Sequence, residues 1–136
     1  MSVSVEIAYE GQLRCKAIHG PSQCHVITDA PVDNHGKGAH FSPTDLVATA
    51  LGTCTLTLLG IVADRHGISL EGTTVKVEKH MVAEPVRRIG RLPVDIYMGQ
   101  PIDDKYKDRL IKAAETCPVK QSVHPDIDLS INFHWK

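Results

Sequence analysis

The sequence predicts an α+β fold in which antiparallel sheets wrap around one long buried central helix, in the order βββ-α-ββ-α-β, with two copies intertwined as a homodimer. Three observations predict it. Apolar residues alternate at period two near the N-terminus, between Val75 and Met98, and again from Leu129 to Trp135; one long apolar segment lies between Ser42 and Gly67; and Ile102 to Glu115 repeats its apolar residues at helical spacing. A chain of 136 residues with 42% hydrophobic and 23% charged residues, and no compositional break between its halves, is expected to form a single domain over 1–136.

The first third reads as strands. Val3, Val5, Ile7 and Tyr9 alternate, Gly11 permits a turn, and shorter runs follow around Leu13 to Ile18 and Cys24 to Thr28, the pattern of a three-stranded meander. Between Asp29 and Phe41 the chain changes to Asp, Pro, Asn, Gly and His, including Asn34-His35-Gly36-Lys37-Gly38. This is a loop of unusual length for a small domain, and such loops often carry function.

Ser42-Pro43-Thr44-Asp45 opens the long helix. Ser42 can cap it, Pro43 suits its first position, and Asp45 complements the positive end of the helix dipole. Gly67 marks the stop. Between Leu46 and Ala63 the segment is nearly long enough to span a bilayer, but it carries four threonines and two glycines, is bounded by Asp45 and by Asp64-Arg65, and has no second span to pair with. It is therefore expected to be a soluble core helix, with no membrane partner. Its apolar residues wrap most of the circumference, so most sides must be covered. One small sheet is a poor cover for roughly 35 Å of such helix. A second copy of the chain is the expected partner.

After Gly67, Val75, Val77, Lys79 and Met81 alternate, Glu84 to Arg91 forms a charged turn, and Leu92, Val94, Ile96 and Met98 alternate again, giving a long antiparallel hairpin. Tyr106, Leu110, Ile111 and Ala114 then define the second helix, and Leu129, Ile131, Phe133 and Trp135 the last strand.

Charge and composition exclude several functions. Fifteen basic against 16 acidic residues leave no electrostatic footprint for nucleic acid. The first twenty residues show no basic start followed by an apolar block, so no secretory signal is expected. Four cysteines without such a signal favour a reducing compartment, the cytoplasm, where a disulfide is usually transient and catalytic or sensing. His35 and His40 in the long loop invite a metal reading. With no C-x-x-C, H-E-x-x-H or closely spaced Cys/His run, no metal and no cofactor are expected. Arg87, Arg88 and Arg91 read as a solvated hairpin tip. Cys15 and Cys24, on successive strands, could face each other, but are assigned no role.

Two cysteines carry the chemistry. Cys54 lies on the long helix on one face with Val47, Leu51, Leu58 and Ile61, where an apolar cleft would raise its pKa and make it inert unless a positive group offsets the burial. Cys117 directly precedes Pro118. A new short helix starting at Pro118 would make Cys117 its cap and aim free backbone N–H groups at the Cys117 sulfur, making that thiol more acidic.

Pro43-x-x-Leu46 at the helix start, Cys54 nine residues after Asp45, the Cys117-Pro118 dipeptide near the C-terminus and the element order together resemble the OsmC/Ohr family, the osmotically inducible and organic hydroperoxide resistance proteins. The resemblance spans nearly the whole chain. It implies a thiol-dependent peroxidase in which Cys54 attacks an organic hydroperoxide and becomes a sulfenic acid, and Cys117 resolves that acid to an intramolecular disulfide. It further implies an external dithiol reductant of the dihydrolipoyl type and sites built at a dimer interface. An arginine from the N-terminal strands stabilises the thiolate in the family, and Arg14 is the candidate here; the family also places a glutamate at the helix start. This chain departs from that pattern: ten residues before Cys54 stands Thr44, and the carboxylate is Asp45, one place along. A noncatalytic dimeric module binding a small hydrophobic or thiol-reactive ligand in its apolar cleft is the alternative.

Overall fold

The computed structural model describes residues 1–136, which fall into two compact units, Met1–Leu46 and Val47–Lys136. The fold is α+β, and every expected element is present within a few residues of its predicted place.

In the first unit, strands β1 (Val5–Gly11), β2 (Arg14–His19) and β3 (His25–Asp29) form an antiparallel meander in sequence order. The β1–β2 turn rests on Gln12 and Leu13, both with positive φ (54° and 62°), rather than on the flexibility of Gly11 alone. Two left-handed residues in a two-residue loop match the strand twist, but the favoured residues there are Asn and Gly. Leu13 is therefore held in a costly conformation immediately before Arg14. The long loop after β3 contains a single 3-10 turn at Val32–Asn34 and returns to the sheet, where Thr28 bridges Phe41 in parallel.

Helix α1 (Pro43–His66) starts as its sequence requires. The Asp45 N–H donates to Ser42 Oγ at 3.1 Å and the Ser42 N–H donates to Asp45 Oδ2 at 2.9 Å, a reciprocal capping box. Within the second unit, α1 buries Ala48, Leu51, Gly52, Thr55, Leu59 and Ala63. Its opposite flank, Thr49, Thr53, Thr57 and Ile61, is exposed, so a single copy of the chain covers one side of the helix rather than most of it. Thr53 and Thr57 donate their hydroxyls back to the carbonyls of Thr49 and Thr53, each at 2.8 Å. Those hydroxyls are thereby satisfied within the helix itself.

The sheet of the second unit is built on β6 (Arg88–Tyr97). β4 (Thr74–Val77) and β5 (His80–Val82) pair antiparallel with successive stretches of β6, as the two pieces of the predicted long hairpin. The register shifts between His80 and Met81, which lets Ile89 as well as Leu92, Val94 and Ile96 enter the core although their numbers differ in parity. The last strand, β7 (Asp128–His134), pairs with β6 in parallel, the one departure from antiparallel pairing within the two sheets. Rows such as Val77–Val94–Ile131 and Val75–Ile96–Phe133 then line the inner face beneath α1. Helix α2 (Asp104–Glu115), capped by Asp103 through the Lys105 N–H, adds Leu110 and Ala114 to the same core.

Candidate active site

Cys54 takes its position from the seating of α1. A Cβ at Gly52 would stand 3.0 Å from Val77 Cγ2 and 3.5 Å from Val75 Cγ1, so the helix backbone approaches the sheet closely two residues before the cysteine. Cys54 itself is half-buried. Cys117 arrives from the other direction. Helix α2 ends where Thr116 turns its N–H to the carbonyls of Lys112 and Ala113, and Pro118 opens a short helix, α3 (Pro118–Ser122), with Cys117 as its cap residue. Cys117 is fully buried, at 0% exposure.

These two thiols meet. The Cys117 side chain makes a hydrogen-bonding contact with Cys54, and the backbone N–H of Val119, in the first turn of α3, donates to the Cys54 sulfur. Burial pushes the Cys54 thiol above its ordinary pKa, and the neighbouring Cys117 raises it further; the Val119 N–H acts in the opposite direction. The expected use of the α3 start is thereby reassigned. Cys117 makes no side-chain cap bond. The Val119 N–H of the helix start acts on the Cys54 sulfur instead.

In the first unit, Arg14 is held by a residue the sequence did not single out. Its Nε donates to Asp29 Oδ1 at 2.6 Å and its Nη2 to Asp29 Oδ2 at 2.9 Å, a bidentate fork between cross-strand partners. Asp29 Oδ2 also accepts the backbone N–H groups of Ala39 and His40, each at 3.1 Å. The Arg14 hydrogen bonds lower the Asp29 pKa to about 2, overriding a burial that leaves its side chain 1% exposed. The signal for this pair was available in principle: in a β2–β3 hairpin whose residue numbers sum to 43, Arg14 faces Asp29. Asp29 read instead as the first residue of a loop.

The other cysteines separate. Cys15 lies opposite Tyr9 and Thr28, whereas Cys24 sits exposed in the β2–β3 turn, its carbonyl accepting from the His19 N–H. Four strand residues, about 13 Å, lie between the two levels, beyond the Cα separation of about 7 Å that a disulfide tolerates. The two do not face each other as successive strands had suggested.

The family model for OsmC-like proteins matches residues 35–132. The chain belongs to the OsmC-like family. A protein of Psychrobacter arcticus 273-4, provisionally described as an osmotic stress induced and detoxification response protein, is 47% identical to this OsmC-like chain; the match covers 96% of this chain and 94% of that one at a TM-score of 0.90. The organic hydroperoxide resistance protein OsmC of Legionella pneumophila shares the fold at 17% identity and a TM-score of 0.76, over 98% and 96% of the two chains. So does the OsmC-like protein of Mycoplasma pneumoniae, at 14% identity and 0.79, over 99% and 97%. No curated protein matches the sequence. Within this OsmC-like chain, the expected glutamate position is Thr44, whose hydroxyl lies 3.2 Å from Ser42 Oγ, and the neighbouring Asp45 carboxylate takes part in the helix cap.

Proposed function

We propose that the protein is a thiol-dependent peroxidase of organic hydroperoxides. The observation that supports this reading is the contact between Cys54 and Cys117, one half-buried and one fully buried, with a backbone N–H aimed at the Cys54 sulfur. The Cys54 thiolate attacks the O–O bond of ROOH; the sulfur is oxidised to sulfenic acid, and the departing RO⁻ takes a proton to leave as the alcohol. The Cys117 thiol then attacks the sulfenic sulfur, forming the disulfide and releasing water. An external dithiol returns the pair to the reduced state by two thiol–disulfide exchanges and is itself oxidised to a disulfide. No cofactor takes part.

Burial leaves Cys54 protonated unless a cation reaches it. In keeping with the family resemblance, Arg14 is assigned that role. A homodimer is part of the same reading, because the α1 flank of Thr53, Thr57 and Ile61 is exposed with its hydroxyls satisfied within the helix and, in the first unit, Val5, Ile7 and Tyr9 are exposed along β1. The detoxification response of the Psychrobacter protein and the hydroperoxide resistance of the Legionella protein are consistent with this activity.

Cumene hydroperoxide consumption with dihydrolipoamide as reductant tests the proposal. Turnover is expected for the parent and none for Cys54→Ser; equal rates for the two would refute it. A solution mass equal to one chain at micromolar concentration would refute the dimer. The noncatalytic alternative rests on Thr44 standing where the family has a glutamate, and predicts tight binding of a small hydrophobic or thiol-reactive ligand without peroxide loss.

A further inference from the structure

We infer that Lys120 and Gln121, both bonded to Glu115, are positioning residues for Cys117: they clasp helix α3 to the end of α2 and so hold the Cys117 thiol against Cys54. Lys120 Nζ pairs with the Glu115 carboxylate, and Gln121 Nε2 donates to the Glu115 carbonyl at 3.1 Å. Both links straddle the Cys117–Pro118 junction. Glu115 closes α2, so it receives α3 twice: through its side chain, and through a carbonyl that the helix end leaves without an intrahelical partner.

Helix α3 has little else to hold it. Its five residues are far below the length at which a helix persists alone, and none of them is fully buried. Val119 packs half-buried against the core. The backbone bonds of α3 close on itself: the Gln121 N–H donates to the Cys117 carbonyl and the Val123 N–H to the Val119 carbonyl, each at 3.1 Å. Pro118 has no N–H to give, and the Val119 N–H is directed to the Cys54 sulfur. Helix α2, by contrast, is anchored by Leu110 and Ala114, both at 0% exposure. The clasp therefore ties a weakly seated element to a firmly seated one, across the buried thiol. The Lys120 side chain is 25% exposed, so its pair with Glu115 is less screened than one on an open surface.

Closing the bridge brings the two sulfurs from contact to about 2.05 Å. A Cys117 thiol held on the line of attack forms that bond at a high effective concentration, and one that swings with a loose α3 forms it at a lower one. Equilibrium with dithiothreitol reads this directly. The S–S bond of the oxidised dithiol breaks and the Cys54–Cys117 bond forms; two electrons and the two thiol protons pass to the dithiol, which is reduced. This exchange needs no peroxide and does not depend on the proposed activity, whereas the rate at which Cys117 resolves a Cys54 sulfenic acid does rest on it.

The test uses the full chain with Cys15 and Cys24 changed to serine. The parent, Lys120→Met, Gln121→Ala, their double variant and the swap Glu115→Lys/Lys120→Glu are equilibrated in dithiothreitol redox buffers, quenched with acid and alkylated. The bridged fraction is read by mass spectrometry. Each single change is expected to lower the equilibrium constant for bridge formation about 2- to 5-fold, and the double variant about 10-fold. The swap restores most of the Lys120→Met loss. Lys107→Met, which removes a pair with Asp104 on the same α2 helix, leaves the constant unchanged. After one equivalent of cumene hydroperoxide, conversion of the sulfenic acid to the disulfide slows in the same order across the variants.

Equal constants for the parent and the double variant overturn the inference. So does an equal shift in Lys107→Met, or a swap that recovers nothing over Lys120→Met. A parent that forms no bridge in any buffer overturns it as well, because the two thiols then do not stand as a pair. A bridge that weakens as expected in a protein that consumes no peroxide supports the clasp and sinks the peroxidase reading, so the two failures are told apart.

Discussion

Oxidation of the Cys54–Cys117 pair is expected to raise thermal stability substantially. The two residues close a loop of about 63 residues, and the chain-entropy relation for a cross-link of that size gives about 4 kcal/mol of stabilisation. For a chain of this length, each kcal/mol moves Tm by roughly 3–5 °C, so a strain-free bridge corresponds to about 10–20 °C. Strain in the native state can only subtract from that figure. The contact between the side chains in the reduced protein means that little backbone movement is needed, so most of the gain should survive. The assay is differential scanning fluorimetry at fixed protein concentration, before and after one equivalent of cumene hydroperoxide, with excess dithiol restoring the first curve. Cys117→Ala supplies the control, having no partner for an oxidised Cys54. A rise below about 2 °C in the parent, or an equal rise in Cys117→Ala, would refute the assignment of the bridge to this pair.

Leu110→Ala, at a fully buried position of α2, is expected to cost about 2–5 kcal/mol in urea denaturation, and Ile111→Ala, 38% exposed, well under half as much. Because the Asp29 pKa is lowered from 3.8 to about 2, the stabilisation it gives is present above pH 3.8 and lost as pH falls through about 2. The amide resonances of Ala39 and His40, which donate to that carboxylate, should shift across this window in the parent but not in Asp29→Asn. Gly36→Ala places a Cβ into the Ala30 carbonyl, a backbone clash that no rotamer change can relieve. Limited trypsinolysis at Lys37 should accelerate in that variant relative to Gly60→Ala, where the added methyl meets nothing within 4 Å.

Local signals carried much of this fold. Ser42, Pro43 and Asp45 announced the start of α1 because capping is chemistry between residues three apart, and the alternations at Val75–Met81 and Leu92–Met98 announced the hairpin because period two is a property of one strand. What lay hidden depends on pairs remote in sequence. The direction of β7 against β6 is invisible to periodicity, since a parallel and an antiparallel neighbour bury the same alternate residues. The register shift near Gly90 likewise changes which parity faces inward without changing composition. The site divides in the same way. Cys54 and Cys117 stood out through their flanking residues. Asp29 did not, because its importance comes from the register of β2 with β3, and the Val119 N–H did not, because its acceptor lies 65 residues earlier.

The unequal burial of the two thiols gives the site a direction. Cys54 is half-buried and Cys117 fully buried, so in the proposed cycle an oxidant diffusing inward meets Cys54 first. The same asymmetry governs the return journey: in a disulfide drawn from this pair, an incoming dithiol can reach only the Cys54 sulfur, and Cys117 must be the leaving group. In the proposed peroxidase cycle the buried Cys117 is also shielded from direct oxidation, so one sulfur would exchange with the outside and the other would answer only to its neighbour.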